Sequence, residues 1–409
     1  MTSQISIERL MASVHELGAI GALDGGGVCR LALTDADKAG RDWFVKSLHA
    51  LNCEVFIDAI GNIWGIRAGR TEGAPVMIGS HIDTVATGGL YDGALGVLAG
   101  LEVIAALNAS ETETDLPVAV AAFTNEEGAR FAPDMMGSGV HQGALDLDEM
   151  LSTRATSGDA LVGEELRRID YAGQDLPIIP SAYLELHIEQ GPVLEAEGLK
   201  IGAVTGVQGI HWTEFTLRGQ TNHAGTTPML LRRDAGQVGF AIARLADEMA
   251  QELGEPQVAT VGVFEVSPCL VNVVPDRARL TVDMRNTDGD ILRSATDRLL
   301  SQAQQFAEAA GCTLDIRPLA RFAPVVFDDA LVTRVETAAQ NRQLPVKRMP
   351  SGAGHDAQMF APNCPTAMIF VPSHKGLSHN INEHTDTTYI EAGAQVLLDV
   401  VLDLTGGLK

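Results

Sequence analysis

Five acidic and imidazole side chains fall within one short stretch of the chain: His81, Asp83, Asp92, Glu126 and Glu127. Each stands just past an apolar run or at the head of a helix-like one, where α/β proteins collect their ligands. A pair of divalent cations needs oxygen and imidazole ligands, one carboxylate able to bridge, and a base beside the water to be activated. With Asp83 two residues after His81, an extended chain directs both side chains to one face, so Asp83 is placed to orient the imidazole. Asp92 sits at a glycine-flanked turn before a helix, a position suited to a bridging carboxylate. Glu126 and Glu127 are adjacent at a strand end, where their side chains diverge enough for one to bind metal and the other to take a proton from water. Taken singly, each signal has a plain alternative: His-x-Asp is common, Asp-Gly is usually a turn, and Glu-Glu is usually a solvated face. Their succession in one α/β segment favours half of a two-metal hydrolase site, and His187 and His379 offer the further imidazoles such a pair needs.

The surrounding pattern says what must position these groups. Pro75 opens Val-Met-Ile-Gly, a short run of buried-strand type that ends at His81. Leu95, Leu98, Leu101, Val103, Ile104 and Leu107 predict a largely buried helix with Asp92 at its head. Buried strands are also expected at Pro117–Phe123, running into Glu126 and Glu127, at Tyr183–Ile188, running past His187, and at Thr366–Val371. Helices are expected at 5–20, at 35–51 with Thr34 as N-cap, at 328–342 and at Tyr389–Leu404, with short strands at Glu54–Ile57 and Asn62–Arg67. Residues 130–180 read as helices and loops. This alternation predicts a three-layer α/β catalytic domain around a mostly parallel sheet. From about Gly209 the texture changes to strand, helix, strand, strand, helix, strand, the order of a ferredoxin-like α+β unit. The expected division is residues 1–208 and 324–409 for the catalytic domain and 209–323 for an inserted lid or dimerisation domain.

Composition narrows the function classes. A length of 409 residues suits two domains of unequal size. A formal net charge of −24 makes nucleic acid and anionic membranes poor partners, since both are bound by clustered Lys and Arg. No run approaches the roughly 18 apolar residues of a membrane span. The five cysteines are scattered and never form Cys-x-x-Cys, which points to reduced thiols in a cytoplasm and against a thiolate zinc site.

The motifs resemble those of the binuclear-metal amidohydrolases related to aminoacylases and dipeptidases, and within them the branch of N-carbamoyl-L-amino-acid hydrolases, β-ureidopropionases and allantoate amidohydrolases. The matching pieces are Gly79-Ser80-His81-Ile82-Asp83-Thr84, Gly88-Gly89-Leu90-Tyr91-Asp92-Gly93, Asn125-Glu126-Glu127-Gly128 and Glu185-Leu186-His187-Ile188-Glu189-Gln190-Gly191. Further along come Asn222-His223-Ala224-Gly225-Thr226-Thr227-Pro228-Met229, Val271-Asn272-Val273-Val274-Pro275, Ser351-Gly352-Ala353-Gly354-His355-Asp356-Ala357 and Ser378-His379-Asn380. They occur in the family's order and cover nearly the whole chain.

The resemblance implies two divalent metal ions per subunit, with zinc the first expectation and manganese, cobalt and nickel equally compatible with His and carboxylate ligands. It implies His81, Asp92 and His187 on one ion, Asp92, Glu127 and His379 on the other, and Glu126 as general acid and base. It further implies that His223 and Asn272 hold the scissile carbonyl oxygen, in their own subunit or a partner's, and that Arg285 grips a substrate carboxylate. Gln190 and Gly354 would line the pocket. The implied activity is hydrolysis of N-carbamoyl-L-amino acids by a homodimer that takes a small carboxylate-bearing substrate. Allantoate hydrolysis is the nearest alternative, followed by N-acyl amino acid or dipeptide hydrolysis and by a catalytically inactive binding protein. One departure stands out: where the family carries Pro two residues after the last metal His, this chain has Ile381. Pro fixes φ, so its absence is expected to loosen the loop that aims His379.

Overall fold

The computed structural model describes residues 3–407. Four strands form the centre of the larger unit: Val76–His81, Val118–Phe123, Ala182–Ile188 and Thr366–Val371. Every residue in all four is buried. Successive side chains of a strand point to opposite faces, so complete burial means that both faces of the sheet are covered. The four run parallel, in the spatial order Val118–Phe123, Val76–His81, Ala182–Ile188, Thr366–Val371. Antiparallel strands extend the sheet on both sides: Ile63–Arg67 and Glu54–Ile57 on one, Ile201–Val207 on the other. The sheet is thus mostly parallel at its heart, with helices interleaved along the chain.

Register carries the site. His81 pairs with Phe123, and His187 pairs with Phe370, so the carboxyl ends of the parallel strands lie level. Between the first two strands runs the helix Ala94–Ala109, whose residues are buried on nearly every side, consistent with its mostly apolar composition; its one charged residue, the buried Glu102, pairs with Arg9 at 2.6 Å. The closing helix Thr387–Thr405 starts two residues before the expected position, with Asp386 as the N-cap whose side chain accepts from Thr388 N. Thr34 caps the helix Asp35–Ala50 through Asp37 N at 3.3 Å. Residues 130–180 hold three short helices, Met136–His141, Leu147–Leu151 and Val162–Arg168. The strands Ile201–Val207 and Val346–Ser351 were not expected. The first, Ile-Gly-Ala-Val-Thr-Gly-Val, is too rich in glycine to score as a strand on propensity.

The chain divides into two compact units, one running to Gly206 and resuming at Val326, the other Val207–Val325. Taken by itself, the second unit is a four-stranded antiparallel sheet in the order Thr313–Phe322, Gly209–Arg218, Arg277–Asn286, Val258–Ser267. With the helices Ala235–Leu253 and Gly289–Ala309 it follows the βαββαβ order. Along Arg277–Asn286 burial alternates: Ala278, Leu280, Val282 and Met284 join the core with Phe215, Ile242 and Leu299, while Arg279, Asp283 and Arg285 lie on the opposite face. A separate two-stranded pairing of Asn222–His223 with Val273–Val274 completes the unit. Among the described residues no helix is long and apolar enough to cross a membrane.

The buried helix that leads away from Asp92 belongs to the core of the larger unit. Leu98 is 1% exposed, so Leu98→Ala is expected to destabilise the larger unit by about 2–5 kcal/mol. A lowered urea midpoint with unchanged kcat per folded, metal-loaded chain is the expected outcome.

Candidate metal centre

Asp83 organises the approach to the site. Its backbone carbonyl lies 2.9 Å from His81 Nδ1, while its carboxylate oxygen is 3.8 Å from that nitrogen. The carboxylate instead accepts hydrogen bonds from the backbone N–H groups of Glu126 at 3.1 Å and Glu127 at 3.3 Å. Asp83 therefore orients His81 through its main chain and holds the Glu126-Glu127 turn through its side chain. Burial, reinforced by Asp37, pushes the Asp83 carboxyl up to about 7, against the pull of those two amides.

A carbonyl can only accept, so His81 donates Nδ1–H to Asp83 and His187 donates Nδ1–H to Ile188 O at 2.8 Å. Both rings then turn Nε2 toward the cleft, the arrangement in which a histidine serves as a ligand. At His187, two neighbours compete for that nitrogen. The Gly93 N–H points at it from 3.1 Å, which requires its lone pair, and Asp92 Oδ1 at 3.3 Å favours a proton there. The first describes a neutral ligand imidazole. The second describes the metal-free protein, in which burial is overcome by Asp92 and His187 is held up at about 9.

Two groups of donor atoms converge, each with its members within 4.8 Å of one another: His81, Asp92 and His187, and Asp92, Glu127 and His379. Asp92 belongs to both. One of its oxygens faces His187, while the other lies 3.4 Å from His379 Nε2, which is also 3.2 Å from Glu127. Glu126 Oε2 lies 3.3 Å from His81 Nε2. Imidazole nitrogens and carboxylate oxygens in this number suit a pair of zinc-like or manganese-like ions. Gly93 is obligatory at this turn: it has φ 64°, and a Cβ there would come within 2.2 Å of His81 Nε2. A third convergence, Glu185, His187 and His355, is less suited to a cation. Glu185 is already bound to Ser80 Oγ at 2.8 Å and Ala357 N at 3.0 Å, and His355 Nε2 to Ser351 Oγ at 2.8 Å.

These donors line an open cleft of about 450 Å³ together with Gln190, Gly354, His355 and Asp134. Gln190 Nε2 reaches Asp92 Oδ2 at 2.9 Å and Ser378 Oγ at 3.1 Å, and its Oε1 is buried without a hydrogen-bond partner. His379 is the exposed member, on a loop, with φ 53°. Three residues at the cleft carry no role in the sequence reading: Asp134 lines it, Ser378 donates to Asp92 Oδ2 at 2.7 Å, and Glu383 accepts from the amides of Tyr91 and Asp92. His355, which the sequence motif places in a loop beside Gly354, also lines the cleft, and Ser378 has a signal through its place beside His379.

His223, Asn272 and Arg285 belong to the second unit. The pairing of Asn222–His223 with Val273–Val274 joins the first two of these segments, and Ala224 N donates to Asn272 O at 2.9 Å. His223 Nδ1 accepts from Gly225 N at 3.0 Å and Thr226 N at 3.3 Å, which leaves the proton on the exposed Nε2. Arg285 pairs with Asp283 at 2.8 Å on the face of the sheet away from the helices.

Residues 77–403 match the model of peptidase family M20/M25/M40. Over 403 residues, 98% of this chain and 97% of the relative, the sequence is 40% identical to an N-carbamoyl-L-amino-acid amidohydrolase of Rhizobium meliloti. It is 36% identical to the allantoate amidohydrolase of Escherichia coli K12, over 93% of this chain and 94% of that one. The crystal structure of an amidase of the hydantoinase/carbamoylase family from Burkholderia multivorans superposes with a TM-score of 0.96 at 44% identity, covering 99% of both chains.

The charge pattern has a pH signature. Hydrogen bonding to Glu127 lifts His379 to about 9, and His187 is likewise at about 9, both above the roughly 6.5 of an unfolded histidine. The folded metal-free protein thus holds more protons between pH 7 and 9 than the unfolded chain. Its stability must fall as pH rises through that window, with His379 contributing less because it is half exposed. Thermal melts of chelator-treated protein are expected to show a decreasing Tm from pH 7 to 9, and added divalent metal, which binds the deprotonated ligands, to remove the decline.

Proposed function

We propose that this chain, which belongs to peptidase family M20/M25/M40, hydrolyses the carbamoyl amide of N-carbamoyl-L-amino acids, R–NH–CO–NH2, to the amino acid, ammonia and carbon dioxide. What carries this is the 40% identity to a named N-carbamoyl-L-amino-acid amidohydrolase along 98% of the chain. The donor set of the cleft fits the same chemistry.

Two divalent ions held by His81, Asp92 and His187 and by Asp92, Glu127 and His379 would supply Lewis acidity, polarising the carbamoyl carbonyl and acidifying water. Glu126 is the group that moves protons. Burial first, and then Asp356, Glu127, Asp83 and Asp92, push its carboxyl well above the usual range, so it is suited to keep a proton between steps. It takes one proton from the attacking water as the C–O bond forms and returns it to the nitrogen that leaves as the first C–N bond breaks; the carbamic acid that remains then loses carbon dioxide, which breaks the second. Asp83 keeps Glu126 and Glu127 in register by binding both their amides. His223, with its proton on Nε2, and Asn272 donate to the carbonyl oxygen as negative charge develops there. Arg285 offers a forked guanidinium to the substrate carboxylate. Zinc, a homodimer formed through the second unit, and a cytoplasmic setting complete the proposal. The allantoate amidohydrolase of E. coli among the relatives favours allantoate as the second reading.

A substrate panel decides between them. N-carbamoyl-L-α-amino acids should be turned over well above allantoate, N-carbamoyl-β-alanine and N-acetyl amino acids, with equal release of ammonia and free amine. Chelation should abolish turnover and added zinc, manganese, cobalt or nickel should restore it. Glu126→Gln should lower kcat by about 10²–10⁴ with metal content intact. Preference for allantoate, or near-normal turnover by Glu126→Gln, would overturn the assignment.

A further inference from the structure

The two ligand groups are joined by a residue that contributes no atom to either. Glu383 lies beyond the His379 loop, and its Oε1 accepts hydrogen bonds from Tyr91 N at 3.0 Å and Asp92 N at 3.1 Å, across some 290 residues of chain (292 and 291). Its other oxygen lies 3.4 Å from Ser378 Oγ, the hydroxyl that donates to Asp92 Oδ2 at 2.7 Å. Gln190 bonds both Asp92 and Ser378. Glu383 thus fixes the main chain of Asp92 while its loop, through Ser378, fixes the side chain. Both fixings come from the segment that also carries His379.

The opposite wall shows that this carboxylate has an assigned place. A Cβ on Gly89 would fall 2.0 Å from Glu383 Oε1, 2.2 Å from its Cδ and 2.5 Å from its Cβ, and these are its three nearest contacts. Gly89 has no positive φ, so its backbone does not require glycine. The space Gly89 leaves is filled by Glu383.

We infer that Glu383 is a positioning residue that locks the shared carboxylate Asp92 to the His379 loop, so that both ligand groups are assembled by one contact, with Gly89 as the slot that admits it. This rests on the two-ion reading of the cleft. A glutamate in this place does what no ligand can do for itself. It satisfies two buried amides at the turn that projects Asp92, and so fixes the direction of both carboxylate oxygens.

The test uses the full-length protein, stripped of metal and titrated with manganese(II) by calorimetry, with melting curves taken before and after loading. Glu383→Ala should weaken manganese binding by roughly 10- to 100-fold. Glu383→Gln keeps an oxygen acceptor for the two amides and should stay within a few-fold of wild type. Gly89→Ala leaves Glu383 in the sequence but evicts its carboxylate, and should reproduce the loss caused by Glu383→Ala. The Gly89→Ala, Glu383→Ala double variant, in which the slot is vacant, should be no worse than Glu383→Ala alone. A merely structural role predicts something else: a lower Tm in the metal-free state with an unchanged manganese affinity. That result, a Gln variant as weak as the Ala variant, or a Gly89→Ala protein that binds like wild type would each overturn the inference. If Glu383→Ala does not fold, the Gln and Gly89→Ala proteins decide it. Wild-type protein that takes up no manganese would instead remove the two-ion reading beneath it.

Discussion

Asp92, Glu126 and Glu127 share one cleft, with Asp83 buried directly behind. Carboxylates in this low-dielectric setting lose their hydration first and feel like charge second, which is why Glu126, beside Asp356 and Glu127, and Asp83, beside Asp37, are pushed upward. The protein answers with directed donors: the amides of Glu126 and Glu127 on Asp83, those of Tyr91 and Asp92 on Glu383, the Gln190 amide and the Ser378 hydroxyl on Asp92. What remains uncompensated at Asp92 and Glu127 is shared among histidines and matches the charge of divalent cations. The chemistry of the cleft follows from this excess of negative charge.

The scaffold makes the excess tolerable. Level carboxyl ends of fully buried parallel strands deliver His81, the Glu126 turn and His187 to one place with little freedom. The proposed base Glu126 and the proposed ligand Glu127 are then held by the same carboxylate, Asp83, through their backbone amides, so the turn that carries both is fixed by a single side chain as well as by packing.

Much of this was legible in the sequence. Short apolar runs ending in His81, Glu126 and His187 announced buried strands with polar ends, and the βαββαβ order of the second unit was visible in its periodicities. What escaped has a common cause. Glu383 works through backbone amides, whose positions no residue type reveals. Asp83 was expected beside His81, yet spacing could not show that its carbonyl would serve the ring and its carboxylate the next turn. Without Pro after His379 the loop was expected to be loose. His379 is exposed and left-handed in φ, and Ser378 and Glu383 tie the segment on either side of it. The strand Ile201–Val207 was hidden by its glycines.

Strand order has a consequence for how the chain comes to life. The neighbour of Ala182–Ile188 in the sheet is Thr366–Val371, and beyond it lies Ile201–Val207. During synthesis from the N-terminus, the ligand group of His81, Asp92 and His187 has all its members once residue 187 emerges. The sheet at that moment still has an open edge beside His187, and it stays open until the whole second unit has been made. Closure by Thr366–Val371 and arrival of His379 come almost together. One late segment of the chain thus both covers the edge of the sheet beside His187 and completes the second donor group.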